Sequence, residues 1–266
     1  MAVVLCPTEL LAGAWTSDAG HGQIIVTGSF FQTTRSFDKG GTTRPFENHG
    51  RFRQTALESY LEYGLSKRAT VVLKVPAAFL DYCTDDGPLH SSGLGDVEIG
   101  GRGRFNSLES PWALSGQFTV AVPAYSAQRN PAPGNHQEDV EARFLLGRSL
   151  NRIHHHAFWD AEAAYRYRSG APADQLRADF TAGIDLTRRL LLLGQSFLIF
   201  GLRNGAPVSA ITNPNAQSDF DLYKGQVSLV MRLGRGTRLQ AGWNDAFAGR
   251  NTGQGSTAML AIWKTF

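Results

Sequence analysis

The sequence predicts an all-β chain, a transmembrane antiparallel up-and-down β-barrel of about twelve strands. Three observations carry that prediction. Apolar and polar residues alternate with a period of two in segments of roughly 10 to 14 residues, the signature of a strand with one apolar face. The connections between segments alternate between tight and long. Aromatic residues gather near both ends of the segments, where rings anchor at the two membrane–water interfaces.

Composition narrows the alternatives. Among 266 residues there are 29 glycines and only 18% charged side chains, a balance that leans to β-structure and away from disorder. The longest apolar stretch, Leu190 to Leu193 with Phe197 to Leu202, is interrupted by Gly194-Gln195-Ser196, far short of the roughly 20 residues of a spanning helix. Mean hydropathy below zero excludes a bundle of such helices but not a barrel, because half of each strand faces lipid and the other half a polar interior. The net charge of +3 is small and the basic residues are scattered, so nothing points to nucleic acid. Cys6 and Cys83 form neither a disulfide framework nor a metal-ligand spacing.

In chain order, residues 1–14 come first. Met1 to Leu11 is mostly apolar and Ala12-x-Ala14 fits a signal-peptidase site before Trp15. A short or truncated signal segment over 1–14 is expected, with the barrel domain over 15–266; an ordinary apolar N-terminal strand fits the same residues. Twelve segments follow, at 22–34, 50–65, 69–80, 93–106, 111–122, 138–149, 156–168, 174–186, 190–204, 219–233, 237–248 and 255–266. In 93–106 one face carries Gly95, Val97, Ile99, Gly101, Gly103 and Phe105, and the other Asp96, Glu98, Arg102 and Arg104. In 111–122 the apolar face is Trp112, Leu114, Phe118, Val120 and Val122; in 174–186 it is Leu176, Phe180, Ile184 and Leu186. A helix would scatter both sets around its circumference.

An even number of strands lets a meander close. The turns at 66–68, 107–110, 150–155, 187–189 and 234–236 are tight, whereas 35–49, 81–92, 123–137, 169–173, 205–218 and 249–254 are mostly longer, as in barrels with short periplasmic turns and extracellular loops. Tyr63, Phe105, Trp112, Trp159, Trp263 and Phe266 fall near the short-turn ends; Phe79, Tyr82, Tyr125, Tyr165, Tyr167, Phe220, Tyr223 and Phe247 fall near the long-loop ends. A soluble β-sandwich also alternates, and the faces separate the two: Val97, Phe118, Phe180 and Leu229 must point outward if lipid surrounds the sheet. The C-terminal Phe266 closes an amphipathic strand and is the expected membrane-assembly signal; Lys264 fits beside it if its stem snorkels to the rim.

Gly64-Leu65-Ser66, Pro76, Ser92-Gly93-Leu94-Gly95-Asp96 and Pro111-Trp112-Ala113-Leu114-Ser115 together resemble the outer-membrane transporter-like family named for the meta-pathway of phenol degradation. Tyr165-Arg166-Tyr167-Arg168, Pro172-Ala173-Asp174 and Thr187-Arg188-Arg189-Leu190-Leu191 extend the likeness, which spans most of residues 50 to 200; Pro123-Ala124-Tyr125 departs from it. The resemblance implies a barrel associated with passage of small, often aromatic or apolar compounds, and it brings no catalytic residues.

The polar faces supply the candidate pore lining: Glu58, Glu62, Asp96, Glu98, Arg102, Arg104, Glu141, Arg143, Asp160, Glu162, Arg166, Arg168, Arg177, Asp179, Asp185, Lys224 and Arg232. Such residues either set a field that orients a polar solute or pair across strands and brace a narrow interior. His154-His155-His156 cannot present three imidazoles on one strand face, so no metal is expected. His90 and Ser92 at the rim, near Asp85 and Asp86, permit comparison with outer-membrane lipid hydrolases. The glycines from 93 to 103 make no nucleotide fingerprint.

The expected function is a channel or transporter for small organic compounds in the outer membrane of a Gram-negative-type bacterium, working by binding and diffusion, without a cofactor and without being an enzyme. Its expected partners are outer-membrane lipid, a small-molecule solute and the barrel-assembly machinery acting on the C-terminal strand. A rim His/Ser lipid hydrolase or deacylase and a plugged structural barrel are the alternatives, and an anionic solute is compatible with the inward arginines.

Overall fold

The computed structural model describes residues 13–126, 128–134, 136–151, 156–206 and 216–266. Its strands are β1 (Gly22–Phe37), β2 (Thr43–Pro45), β3 (Arg51–Ser66), β4 (Ala69–Thr84), β5 (Gly87–Leu94), β6 (Asp96–Arg104) and β7 (Trp112–Pro123). They continue with β8 (Asp139–Asn151), β9 (His156–Arg168), β10 (Gln175–Asp185), β11 (Leu190–Gly201), β12 (Ala216–Gly234) and β13 (Thr237–Thr265). One sheet contains them all, in the order β13-β12-β11-β10-β9-β8-β7-β6-β4-β3-β1, and β13 also pairs with β1, which closes it. Every pairing is antiparallel. Closure removes the free edges that an open sheet would expose.

Eleven elements form this ring, and the last is unlike the rest. β13 has 29 residues, which at about 3.3 Å per residue would run roughly 95 Å if straight, three times the thickness of a bilayer core. Its first part pairs with β12 and its second with β1, meeting at Thr252. Asn251 has φ 54, Ser256 Oγ donates to Asp245 Oδ1 at 2.6 Å, and Trp263 Nε1 donates to Gln240 Oε1 at 3.0 Å. The element therefore doubles back at Asn251, and the wall is crossed twelve times, the even number that an all-antiparallel ring requires. The expected segments 237–248 and 255–266 are its two passes, and the expected loop at 249–254 is the bend.

Other boundaries move for identifiable reasons. The expected loop at 81–92 is mostly strand, because β4 runs on to Thr84 and β5 returns beside it from Gly87. β5 and β6 lie end to end along β4, with Gly95 between them packed against Pro76 and against the carbonyl of Pro133. β2 is a short addition to the end of β1 within the expected loop 35–49. The turn expected at 150–155 lies largely outside the described residues, as do His154 and His155; His156 begins β9 and is exposed.

The faces answer the question between sandwich and barrel. Phe118, Phe180 and Leu229 are 54%, 45% and 44% exposed and Val97 is half-buried. Leu57, Ile99, Phe144, Val227, Leu260 and Ile262 continue this outward apolar surface. A soluble protein rarely leaves so much contiguous apolar area to water, and lipid supplies the missing partner. No helix is long and apolar enough to cross a membrane; the strands make the crossing.

The aromatic borders need a correction. Tyr63, Phe105, Phe266, Phe79, Tyr165, Tyr167 and Phe247 are exposed as expected, but Trp263 and Phe220 are buried, and Tyr82 packs edge-on against Phe46. Trp263 has the opposite parity from Leu260 and Ile262, so the pleat turns it inward. Lys264 points outward and its Nζ reaches the carbonyl of Arg235 at 2.7 Å, at the turn between β12 and β13.

Candidate functional site: the barrel lumen

The inward side chains carry both signs of charge, and most are committed to each other. Arg143 bonds Glu141 at 2.9 Å, Asp179 at 2.5 Å and Glu162. Arg166 bonds Glu98 at 3.0 Å and Glu141 at 2.8 Å, and Arg177 lies 3.5 Å from Glu141 while donating to Gln175. Lys74 lies 3.6 Å from Glu58 and 3.8 Å from Glu98. This belt spans six strands, β3, β4, β6, β8, β9 and β10. Taking charges out of water is costly, so such pairs add little net stability, but they set the positions of the side chains that define the free passage.

Beside the belt lies an uncharged ladder. Gln226 donates to Gln195 at 2.8 Å, and Gln195 and Asn244 extend the row to Thr181 and back to Gln226. Alternate residues of β10, β11, β12 and β13 line one face, which is why these amides meet.

Towards the short-turn end the lumen is occupied by the chain itself. Residues Gly13 to Ser17 run inside the wall ahead of β1, and Ala14, Trp15, Thr16 and Ser17 are all buried. Four strands hold this segment through its backbone. Ser115 Oγ of β7 donates to the Ala14 carbonyl at 2.5 Å, and Arg102 Nη1 of β6 donates to the Trp15 carbonyl at 2.9 Å. Ser17 N–H donates to Thr70 Oγ1 of β4 at 2.9 Å. Gly64 of β3 exchanges backbone hydrogen bonds with Gly20 and His21 just beyond it. The Trp15 ring meets Phe158 edge-on at 6.0 Å and lies over Gly147. Gly147 and Gly64 are small by necessity: a Cβ on Gly147 would lie 2.7 Å from the indole, and one on Gly64 would lie 2.6 Å from the Ser17 carbonyl oxygen.

Arg102 is the centre of this clamp. It also donates to Glu62 at 2.7 Å, to Tyr60 at 3.2 Å and to Gln117 at 3.0 Å. Glu62 in turn accepts from the Tyr60 hydroxyl at 2.6 Å. The side chains of Arg102 and Glu62 are only 3% and 1% exposed, so each depends on the other for neutralisation.

The remaining predicted residues are placed as follows. Glu58, Glu62, Glu98, Arg102, Glu141, Arg143, Asp160, Glu162, Arg166, Arg177, Asp179 and Lys224 face the lumen, with Asp160 against Gly13. Arg104 instead braces the turn between β6 and β7, donating to the carbonyls of Ser107 and Trp112, both at 2.9 Å. Arg168 lies at the opposite rim beside Asp139, and Asp96 there lies against Gly134. Asp185 and Arg232 pair at 2.7 Å near the short turns. Lys74, Tyr60 and the amide ladder also face the lumen without being expected there; for Lys74 the available signal is a lone lysine in Val71-Val72-Leu73-Lys74-Val75. Nothing in the sequence marked residues 13–17 as luminal.

At the long-loop rim, His90 pairs with Asp81 at 2.6 Å rather than with Asp85 or Asp86. Among the described residues no hydrogen bond joins Ser92 to His90, so a nucleophile and its base are not assembled. No group of three metal-ligating side chains occurs among the described residues.

No protein-family model matches the chain, and no curated protein does. Among solved structures it is similar to the COG4313 outer membrane channel from Pseudomonas putida F1, with a TM-score of 0.72 at 14% identity over 100% of both chains. It is also similar to the NanC porin, at a TM-score of 0.53 and 9% identity over 90% of this chain and 98% of that one. The translocator domain of autotransporter NalP from Neisseria meningitidis follows, at 0.51 and 11% over 94% and 90%. The shared feature is the fold: this chain is a β-barrel of the outer-membrane kind.

Proposed function

We propose that this barrel is an outer-membrane channel for small organic solutes, which pass by binding and diffusion through a lumen narrowed by the belt of ion pairs and by residues 13–17. The observation that carries the reading is the polar inner face of a closed wall whose outer face is apolar. A barrel built only to sit in the membrane gains nothing from so many inward charges, since apolar filling would cost less. The likeness to an outer membrane channel and to a porin supports it. Small compounds with apolar bodies, as the resemblance to the phenol meta-pathway family implies, are the proposed cargo. The proposal includes recognition of the C-terminal strand and Phe266 by the assembly machinery.

Reconstitution tests it. Purified protein in planar bilayers should give discrete conductance steps, and liposomes carrying it should admit small organic solutes faster than empty ones. The specific observation favouring a plugged structural barrel is the seating of Gly13–Ser17. That reading predicts neither conductance nor flux from the wild-type protein, and either one only in a variant in which the segment has been displaced.

A further inference from the structure

We infer that Lys224 and Phe197 form a binding site inside the lumen for a carboxylate that carries a compact apolar body. The inference deepens the channel reading and rests on it for its place in transport. Lys224 of β12 and Phe197 of β11 are cross-strand partners, and the Lys224 ammonium stands 5.8 Å from the centre of the Phe197 ring. Among the described residues Lys224 makes no ion pair, unlike the charged members of the neighbouring belt. Its acidic neighbours are Asp179 and Glu58, and each is already held by another cation, Asp179 by Arg143 at 2.5 Å and Glu58 by Lys74 at 3.6 Å.

The surroundings give the site its shape. Ile199 stands two residues from Phe197 on the same face of β11, so the two make an apolar strip. On the other side, Arg177 is the cross-strand partner of Ile199 and Asp179 that of Phe197, so the far flank carries a cation and a carboxylate already paired with Arg143 at 2.5 Å. Strands about 4.8 Å apart put β10 and β12 roughly 10 Å from each other, so groups on both flanks can reach a small ligand lying on Phe197 and Ile199. A ligand with its apolar body on Phe197 and Ile199 would present its carboxylate to an ammonium whose acidic neighbours, Asp179 and Glu58, are held by Arg143 and Lys74. A neutral analogue would keep the apolar contact and lose the charge-assisted bond. A cation would be repelled by the Lys224 ammonium and would find Asp179 and Glu58 already paired with Arg143 and Lys74.

The test uses benzoate, hexanoate and benzyl alcohol on the full chain. Equilibrium binding is measured by calorimetry in detergent, and entry by liposome flux. Wild type should bind benzoate at least tenfold more tightly than benzyl alcohol, a difference of about 1.4 kcal/mol. Lys224→Met keeps the aliphatic stem and should erase that preference while leaving benzyl alcohol flux unchanged. Phe197→Leu should reduce benzoate binding more than hexanoate binding. Equal affinity for benzoate in wild type and Lys224→Met, with both proteins folded as judged by circular dichroism, overturns the site while leaving the channel reading intact if solutes still enter. Binding lost in Lys224→Met with no flux of any solute in wild type upholds the site and overturns the channel.

Discussion

Replacing Arg102 by methionine should release residues 13–17 from the lumen without opening the wall. The segment is held by a small difference. Burying the Trp15 side chain removes about 150–250 Å² from water, roughly 4–6 kcal/mol at about 25 cal/mol per Å². Hydrogen bonds involving Ser115, Thr16 and Thr70 contribute about 1 kcal/mol each, and the one from Arg102 about 1.5–3 kcal/mol. Against this, ordering five backbone residues costs about 5–10 kcal/mol, so docking is favourable by only a few kcal/mol. Arg102→Met removes the bond to the Trp15 carbonyl and leaves Glu62 charged and buried, a loss of about 3–5 kcal/mol. That is as large as the docking energy. Water entering to solvate Glu62 then takes the segment's place. Chymotrypsin cleavage at Trp15 should rise by tenfold or more, with a parallel rise in single-channel conductance and unchanged β-sheet circular dichroism. The double variant Arg102→Met/Glu62→Gln should fall between, since no bare carboxylate remains. Continued protection of Trp15 together with wild-type conductance in Arg102→Met would refute the clamp.

Gly64→Val should displace the same segment by collision, because its Cβ would meet the carbonyls of Ser17 and Asp18; the readout is again conductance, with Leu65→Ala as a control of equal position. Phe118→Arg puts a charge on the outward face and should lower barrel stability in lipid by about 2–4 kcal/mol in urea titrations, whereas a soluble sandwich would tolerate it at 54% exposure. Lys74→Gln leaves Glu58 and Glu98 with less positive charge beside them, so the reversal potential in a salt gradient should move towards cation selectivity. Two loop groups give opposite pH responses. Hydrogen bonds from Arg44, Thr42 and Gly40 hold the Asp38 carboxyl below its usual value of 3.8, so its contribution to loop order is present above that value and fades as pH falls through the lowered one; amide exchange at Gly40 and Thr42 should report it. Asp85 raises the His49 imidazole above 6.5, so that contact is complete below 6.5 and is lost as pH rises through the raised value, as an NMR titration of His49 should show.

Much of the wall was readable because a strand has only two faces. Phe180 and Asp179 are neighbours in sequence and opposite in environment, and period-two counting assigns both. The same parity turns Trp263 inward although it lies near a rim, because Leu260 and Ile262 occupy the outward face. The lumen was readable as a set and not as an arrangement. Glu98 and Arg166 are far apart in sequence and meet at 3.0 Å, and Arg104 shares the parity of Arg102 yet turns to bind carbonyls at the rim. Pairing partners depend on strand order, tilt and closure, none of which is encoded locally.

By itself the sequence determined which side of each strand is greasy and which is charged, how many times the chain crosses, and where the short turns fall. Those properties are local, since adjacent side chains point to opposite faces and short polar stretches with glycine favour turns. Tertiary structure decided what the interior does with its charges. Folding put Arg143 among three carboxylates, left Lys224 beside Phe197 with no ion pair among the described residues, and brought Gly13–Ser17 under Arg102 and Ser115. Strand pairing sets Lys224 beside Phe197, and closure of the wall adds contacts between strands that do not pair, such as Arg143 of β8 with Asp179 of β10.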